Sequence, residues 1–183
     1  MPPIEDDIQA LIEGCVKNDR RAQELLYKKF YAAMAVLCER YISNEQDAMQ
    51  ILNDGFLKVF KNIQSFDAAK ASIYTWIRKI MINTAISFLR KQPIVYASDI
   101  SVIDQETIIE NGIIQKLDAD ELLSIIKKLP KATQLVFNLY TVDGFNHREI
   151  AEMLSISEGT SKWHVSEARK QLKQSIMKLQ KIS

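Results

Sequence analysis

The chain has 183 residues, 24 basic and 23 acidic groups and a net charge of +1, which bounds it to one ordinary domain or two small ones. Hydrophobic residues make up 47% of it, enough for a core, while 5 Gly and 4 Pro exclude collagen-like and low-complexity classes and disfavour a turn-rich all-β fold. Two cysteines, Cys15 and Cys38, cannot form a disulfide scaffold, and no CxxC or Cys/His cluster marks a metal site, so they read as buried thiols in a reducing compartment.

The chain opens on Met-Pro-Pro-Ile-Glu-Asp-Asp, an acidic start without the basic-then-apolar order of a secretory signal. No stretch reaches the roughly 18 consecutive apolar residues of a membrane helix. The expectation is a soluble, cytoplasmic protein without membrane insertion, metal or cofactor. From Pro3 to Pro93 there is no proline between, and only Gly14 and Gly55. Periodicity predicts helices near 5–17, 20–41, 45–63 and 72–91, with Ser43 or Asn44 available to cap the third. In the last of these, Ile77, Ile80, Met81, Thr84 and Phe88 form the expected core stripe. Lys79, Asn83 and Arg90, with Trp76 nearby, line the other side. Ile82, Ile86 and Leu89 widen the apolar area, so this helix should pack on more than one neighbour. Aromatic and basic groups together suit unstacked bases and their phosphates; a core helix with snorkelling bases is the structural alternative.

Residues 93–117 have no lasting helical period. They carry Asp99, Asp104, Glu106 and Glu110 against Lys116 and read as an acidic linker. Beyond it helices are predicted near 118–128, 132–141, 147–154 and 158–180. The segment Asn146-His-Arg-Glu-Ile-Ala-Glu-Met-Leu-Ser-Ile-Ser-Glu-Gly-Thr-Ser-Lys-Trp-His-Val reads as a short helix, a tight turn and a longer helix. Asn146 with Glu149 makes a capping-box pattern, and Ser157 can cap the last helix. This is the spacing of a helix-turn-helix, whose second helix enters the DNA major groove. On that helix Ser161, Val165, Ala168, Leu172, Ile176 and Leu179 share the expected buried face. Gly159, Thr160, Trp163, Ser166, Glu167 and Lys170 oppose it, flanked by Lys162, Arg169 and Lys173. His147 and His164 are expected as cap-region and helix-side residues, not as catalytic groups.

Charge sharpens the pattern. No acid lies between Asp67 and Asp99, where Lys70, Arg78, Lys79, Arg90 and Lys91 occur. Glu158 to Lys181 holds six bases and two acids. Two basic stretches on one small chain suggest two contacts with a polyanion, the alternative being two solvated helix faces.

With these blocks in view, the chain resembles a bacterial sigma factor of the sigma-70 family, extracytoplasmic-function (ECF) group. The resemblance opens at Leu26-Tyr-Lys-Lys-Phe-Tyr. Asn44-Glu-Gln-Asp-Ala-Met-Gln-Ile-Leu-Asn-Asp-Gly-Phe-Leu-Lys-Val-Phe is similar to the family's polymerase-docking helix. Trp76-Ile-Arg-Lys-Ile-Met-Ile-Asn-Thr-Ala-Ile-Ser-Phe-Leu-Arg-Lys is similar to its promoter-melting helix. Leu129-Pro and Gly144-Phe-Asn-His-Arg-Glu-Ile-Ala-Glu-Met-Leu-Ser-Ile-Ser-Glu-Gly-Thr-Ser-Lys are similar to its C-terminal domain.

The resemblance implies an all-α chain of two small helical domains: 1–92, binding core RNA polymerase and the minus-ten element; the linker 93–117; and 118–183, a helix-turn-helix domain binding the minus-35 element. By position it implies Asp47, Gln50, Asn53, Asp54, Phe56 and Leu57 for polymerase binding. It implies Trp76, Lys79, Asn83, Arg90 and Lys91 for the minus-ten element, with the loop from Gln64 to Ser72 taking a flipped base. Ser157, Glu158, Gly159, Thr160, Lys162, Trp163, Ser166, Arg169 and Lys170 fall in the minus-35 helix. The partners implied are core RNA polymerase, promoter DNA and an anti-sigma factor that occludes these surfaces. The acidic linker would thread towards the polymerase active site. The mechanism implied is binding, not catalysis, and no nucleophile–base pair or phosphate loop argues for an enzyme. The other reading is a stand-alone helix-turn-helix regulator that needs no polymerase.

Overall fold

The computed structural model describes residues 8–91 and 119–180, with side chains of the second stretch described from 123 to 179. The linker prediction for 93–117 lies outside them. Every regular element among the described residues is helical. The chain divides into two compact units, Met1–Gln92 and Pro93–Ser183.

The first unit holds α1 (Ile8–Val16), α2 (Arg20–Tyr41), α3 (Glu45–Asn62) and α4 (Ile73–Leu89), with a short 3-10 turn at Ile63–Ser65. α1 ends where Asn18 takes a left-handed φ of 58°, a conformation Asn tolerates better than most residues. The Asp19 carboxylate then caps α2, accepting from the Arg21 and Ala22 amides at 2.7 and 3.2 Å. Asn44, one of the two expected caps, accepts from the Asp47 amide at 3.0 Å and starts α3. Ser72 does the same for α4 through the Thr75 amide.

α1 packs on α2, α2 on α3, and α4 on both α2 and α3. That double contact is why Ile77, Met81, Ile82, Ala85 and Ile86 are all buried on one helix. Ile80 and Phe88, expected in the stripe, are half-buried because they sit at its margins. Gly55 permits the close crossing of α3 and α4: a Cβ there would collide with the Met81 sulfur. Cys15 and Cys38 are buried, and burial pushes each thiol up to about 11, which leaves little thiolate for chemistry.

The second unit holds α5 (Ala119–Ile126), α6 (Lys131–Phe137), a π turn at Asn138–Val142, α7 (His147–Leu154) and α8 (Glu158–Gln180). The continuous helix expected over 132–141 is thus an α-helix that widens into the π turn at Asn138. Gly144, at φ 78°, closes the turn. The capping box forms as expected: Glu149 N–H donates to Asn146 Oδ1 at 2.9 Å, and Asn146 N–H to Glu149 Oε2 at 2.8 Å. α7 ends at Ser155, a non-glycine residue in the left-handed region at φ 57° and ψ 46°. Its amide and that of Ile156 both return to the Ala151 carbonyl.

α5, α6 and α7 all pack on α8. Ile125, Ile126, Leu129, Phe137, Ala168, Leu172 and Ile176 form one buried cluster, joined in the core by Ile150, Leu154 and Val165. One expectation fails at the margin: Leu179 is 43% exposed because it lies in the last turn of α8, beyond the buried cluster.

Candidate nucleic-acid interface

Three surfaces follow from these helices, two in the first unit and one in the second. On α3, Gln50, Asn53, Asp54 and Leu57 are exposed, Leu57 by 57%, and Asp47 is half-buried. Phe56 corrects the sequence expectation. It is only 2% exposed and packs inward against Tyr27, with ring centroids 4.5 Å apart. One residue earlier or later than an exposed position turns the side chain about 100° round the helix. The exposed face of α3 is continued on α2 by residues that the sequence reading did not single out. Tyr27 and Tyr31 on α2 lie 5.5 Å apart. Tyr27 donates its hydroxyl to Asn53 Oδ1 at 3.2 Å, and Tyr31 reaches the exposed Met49 sulfur at 3.9 Å. Their i, i+4 spacing was the available signal.

On α4, Thr75, Lys79, Asn83, Ser87 and Arg90 are exposed along one stripe, and Lys91 is exposed just past the helix. Trp76 is half-buried at one end. Phe66, from the preceding loop, meets it edge-on with centroids 5.7 Å apart, so loop and helix share one aromatic corner. Lys58 of α3 donates to Thr84 Oγ1 at 3.1 Å, and Thr84 donates to the Ile80 carbonyl at 2.8 Å. α3 and α4 are therefore bonded as well as packed.

On α8, Lys162 and Lys170 are exposed, and Gly159, Trp163, Ser166 and Arg169 are half-exposed. Ser157 and Glu158 are exposed at its start. Thr160 corrects the expectation for this face: it is 7% exposed, held inward as Ser157 Oγ accepts from its amide at 3.0 Å and shares a 2.9 Å hydroxyl contact. Glu167 does not project freely. Gln171 donates to it at 2.7 Å, one turn on. His164 is 2% exposed, not at the side of the helix. Its Nδ1 meets Thr133 Oγ1 at 3.0 Å, and burial lowers its pKa from 6.5 to about 4, so the ring is neutral near pH 7. His147 Nδ1 meets Ser161 Oγ at 2.9 Å, which ties α7 to α8 at the crossing.

The arrangement offers a polar and aromatic groove-sized helix in one unit and a basic-aromatic face in the other. The family model for Sigma-70 region 2 matches residues 26–93, and that for Sigma-70 region 4 matches residues 119–172. The chain belongs to the sigma-70 family, in its ECF group. The region-2 match also overturns the stand-alone regulator reading, since such a regulator needs only the helix-turn-helix half. The ECF RNA polymerase sigma-E factor of Escherichia coli (strain K12) is 26% identical over 186 aligned residues, covering 93% of this chain and 95% of that one. The sigma-E factor of Haemophilus influenzae is 27% identical over 93% of this chain and 96% of its own. Among solved structures, the sigma factor RpoE in complex with the anti-sigma factor NepR, from Bartonella quintana, is 19% identical with a TM-score of 0.50. That similarity covers 85% of this chain and 96% of that one. No helix among the described residues of this sigma factor is long and apolar enough to cross a membrane.

Proposed function

We propose a division of labour for this sigma factor, which directs RNA polymerase to promoters. The exposed face of α3, through Asp47, Gln50, Asn53, Asp54 and Leu57 with Tyr27, Tyr31 and Met49 beside it, docks on core polymerase. The α4 stripe of Trp76, Lys79, Asn83 and Arg90, with Lys91 after it, takes the non-template strand of the minus-ten element as it opens. Stacking a base on an aromatic ring contributes about 1–3 kcal/mol, which offsets the few kcal/mol of extruding it from the duplex. The α8 face of Lys162, Trp163, Ser166, Arg169 and Lys170, with Ser157, Glu158 and Gly159 at its start, holds the minus-35 duplex.

The observation that carries this reading is the exposed Lys79–Asn83–Arg90 stripe on a helix bonded to the docking helix through Lys58 and Thr84. A surface so placed can hold single-stranded DNA against the polymerase. The factor acts by binding rather than by catalysis, in the cytoplasm, and an anti-sigma factor covering the same surfaces is its regulatory partner.

The test is initiation in vitro with core polymerase and start-site mapping on genomic DNA. Asn83→Ala and Arg90→Ala should slow strand opening, whereas Lys162→Ala and Lys170→Ala should weaken upstream duplex retention. A chain without affinity for core polymerase overturns the reading, and so do α4 variants that alter only duplex affinity.

A further inference from the structure

The half-buried ring of Tyr140, in the π turn, lies between two groups from different helices. His147 of α7 stacks on it, with ring centroids 4.3 Å apart and planes 15° from parallel. The Arg169 guanidinium of α8 lies over the same ring, 6.0 Å from its centroid. His147 is in turn fixed by its bond to Ser161. A guanidinium over an aromatic face gives up little of its donor capacity, because stacking uses the plane and leaves the N–H edges for an acceptor.

The position of this stack on α8 is informative. Lys162, Arg169 and Lys173 are spaced i, i+7 and i+11, which puts them within about 40° of one another around the helix. They form one edge of the outward face. Trp163, Ser166 and Lys170 lie towards its centre, and Glu167, held by Gln171, lies on the opposite edge. Over 162–173 the helix is therefore electrostatically lopsided, with cations and the Tyr140 stack on one side and a carboxylate on the other, while Glu158, four residues before Lys162, puts one acid on the cation edge at the helix start.

We propose that this edge is a phosphate clamp for one DNA strand at the rim of the groove, and that Tyr140 is its positioning residue, aiming Arg169 at the phosphate. The proposal rests on the upstream-duplex reading of α8 and adds which strand-facing edge grips and what orients it. Phosphate contacts fix register without reading sequence, and each one adds close to one unit to the salt dependence of binding.

The experiment uses wild-type holoenzyme and a duplex carrying the strongest start site that it maps, with retention measured across a salt series. Arg169→Gln and Tyr140→Leu should each flatten the slope of log affinity against log salt by about 0.9. The double variant should flatten it no further, and Tyr140→Phe should keep the wild-type slope. Tyr140→Leu keeps the bulk of the side chain, and a thermal melt checks its fold. If it melts early, Arg169→Lys substitutes for it, keeping the charge but losing the planar stack. An unchanged slope in Tyr140→Leu, additive losses in the double variant, or a Tyr140→Phe slope matching Leu each overturn the clamp. Start sites that map normally alongside such slopes leave the proposed function standing. No start site with wild-type holoenzyme overturns that function and the clamp with it.

Discussion

In the first unit Thr84 is the one buried polar side chain among the described residues, whereas the second buries Thr133, Asn138, Thr160, Ser161 and His164. The first is filled by apolar side chains, Leu11, Leu26, Met34, Ile51, Phe56, Ile77 and Met81, and its inter-helix bonds, Lys58 to Thr84 and Tyr27 to Asn53, lie nearer the surface. The second adds directional bonds at each helix contact that matters for the helix-turn-helix. Thr133 to His164 joins α6 to α8, His147 to Ser161 joins α7 to α8, and Ser157 to Thr160 sets where α8 begins. Apolar packing is non-directional, while hydrogen bonds fix orientation. For a helix proposed to enter a groove, bonds of the second kind fix its aim, and the buried His164 brings a dependence on pH with it.

One tryptophan lies in each unit, Trp76 and Trp163, so each unit's unfolding can be followed separately in Trp→Phe variants of the full chain. The largest effect should come from Phe56→Ala, which empties the apolar core and costs the first unit about 3–5 kcal/mol in urea. A variant of normal stability that fails only to bind polymerase would return Phe56 to the docking face.

The next effect is pH. Folding holds His164 neutral down to about 4, while the unfolded ring takes a proton near 6.5. Between those values the unfolded state binds more protons. The stability of the second unit is therefore intact above pH 6.5 and falls as pH drops towards 4, by about 3 kcal/mol at most. The first unit contains no histidine and should lack this loss; matching losses at Trp76 and Trp163 would erase the contrast.

Thr133→Val keeps the volume but removes the hydroxyl that meets His164. It should cost the second unit about 1–3 kcal/mol, read at Trp163. The smallest effect should be a gain. A Cβ in the left-handed region costs about 1–2 kcal/mol, partly offset by the greater freedom that glycine loses on folding. Ser155→Gly should therefore stabilise the second unit by about 0.5–1 kcal/mol, seen as a shift in its urea midpoint.

Much of this was legible in the residues. The helices of the described residues, the Asn146–Glu149 box, the Ser157 cap and the wide apolar face of α4 follow from spacing and side-chain chemistry. So does the exposed Lys79–Asn83–Arg90 stripe. What stayed hidden has physical reasons. The π turn stays hidden because it is five residues long and ends its helix, so no following turns reveal the change of phase. Phe56 is placed outward from a whole block, and a block does not say which of its residues turn in; Thr160 is placed outward by helical angle, which does not register the Ser157 hydroxyl that holds it inward. His164 lies at the border of the apolar face, where burial depends on Thr133, a residue 31 positions earlier. The Tyr140 stack draws on three separate segments and could appear only once they were folded together.

The wide turn at Asn138–Val142 has a consequence for how this sequence can drift. Deleting one residue there would close the turn to regular winding and shift Tyr140, the middle residue of the five, by about 100° around the helix axis. Tyr140 would then leave both its stacking partners at once. Insertions and deletions should accordingly be tolerated elsewhere on the surface before they are tolerated in these five positions, whose length matters more than their individual letters.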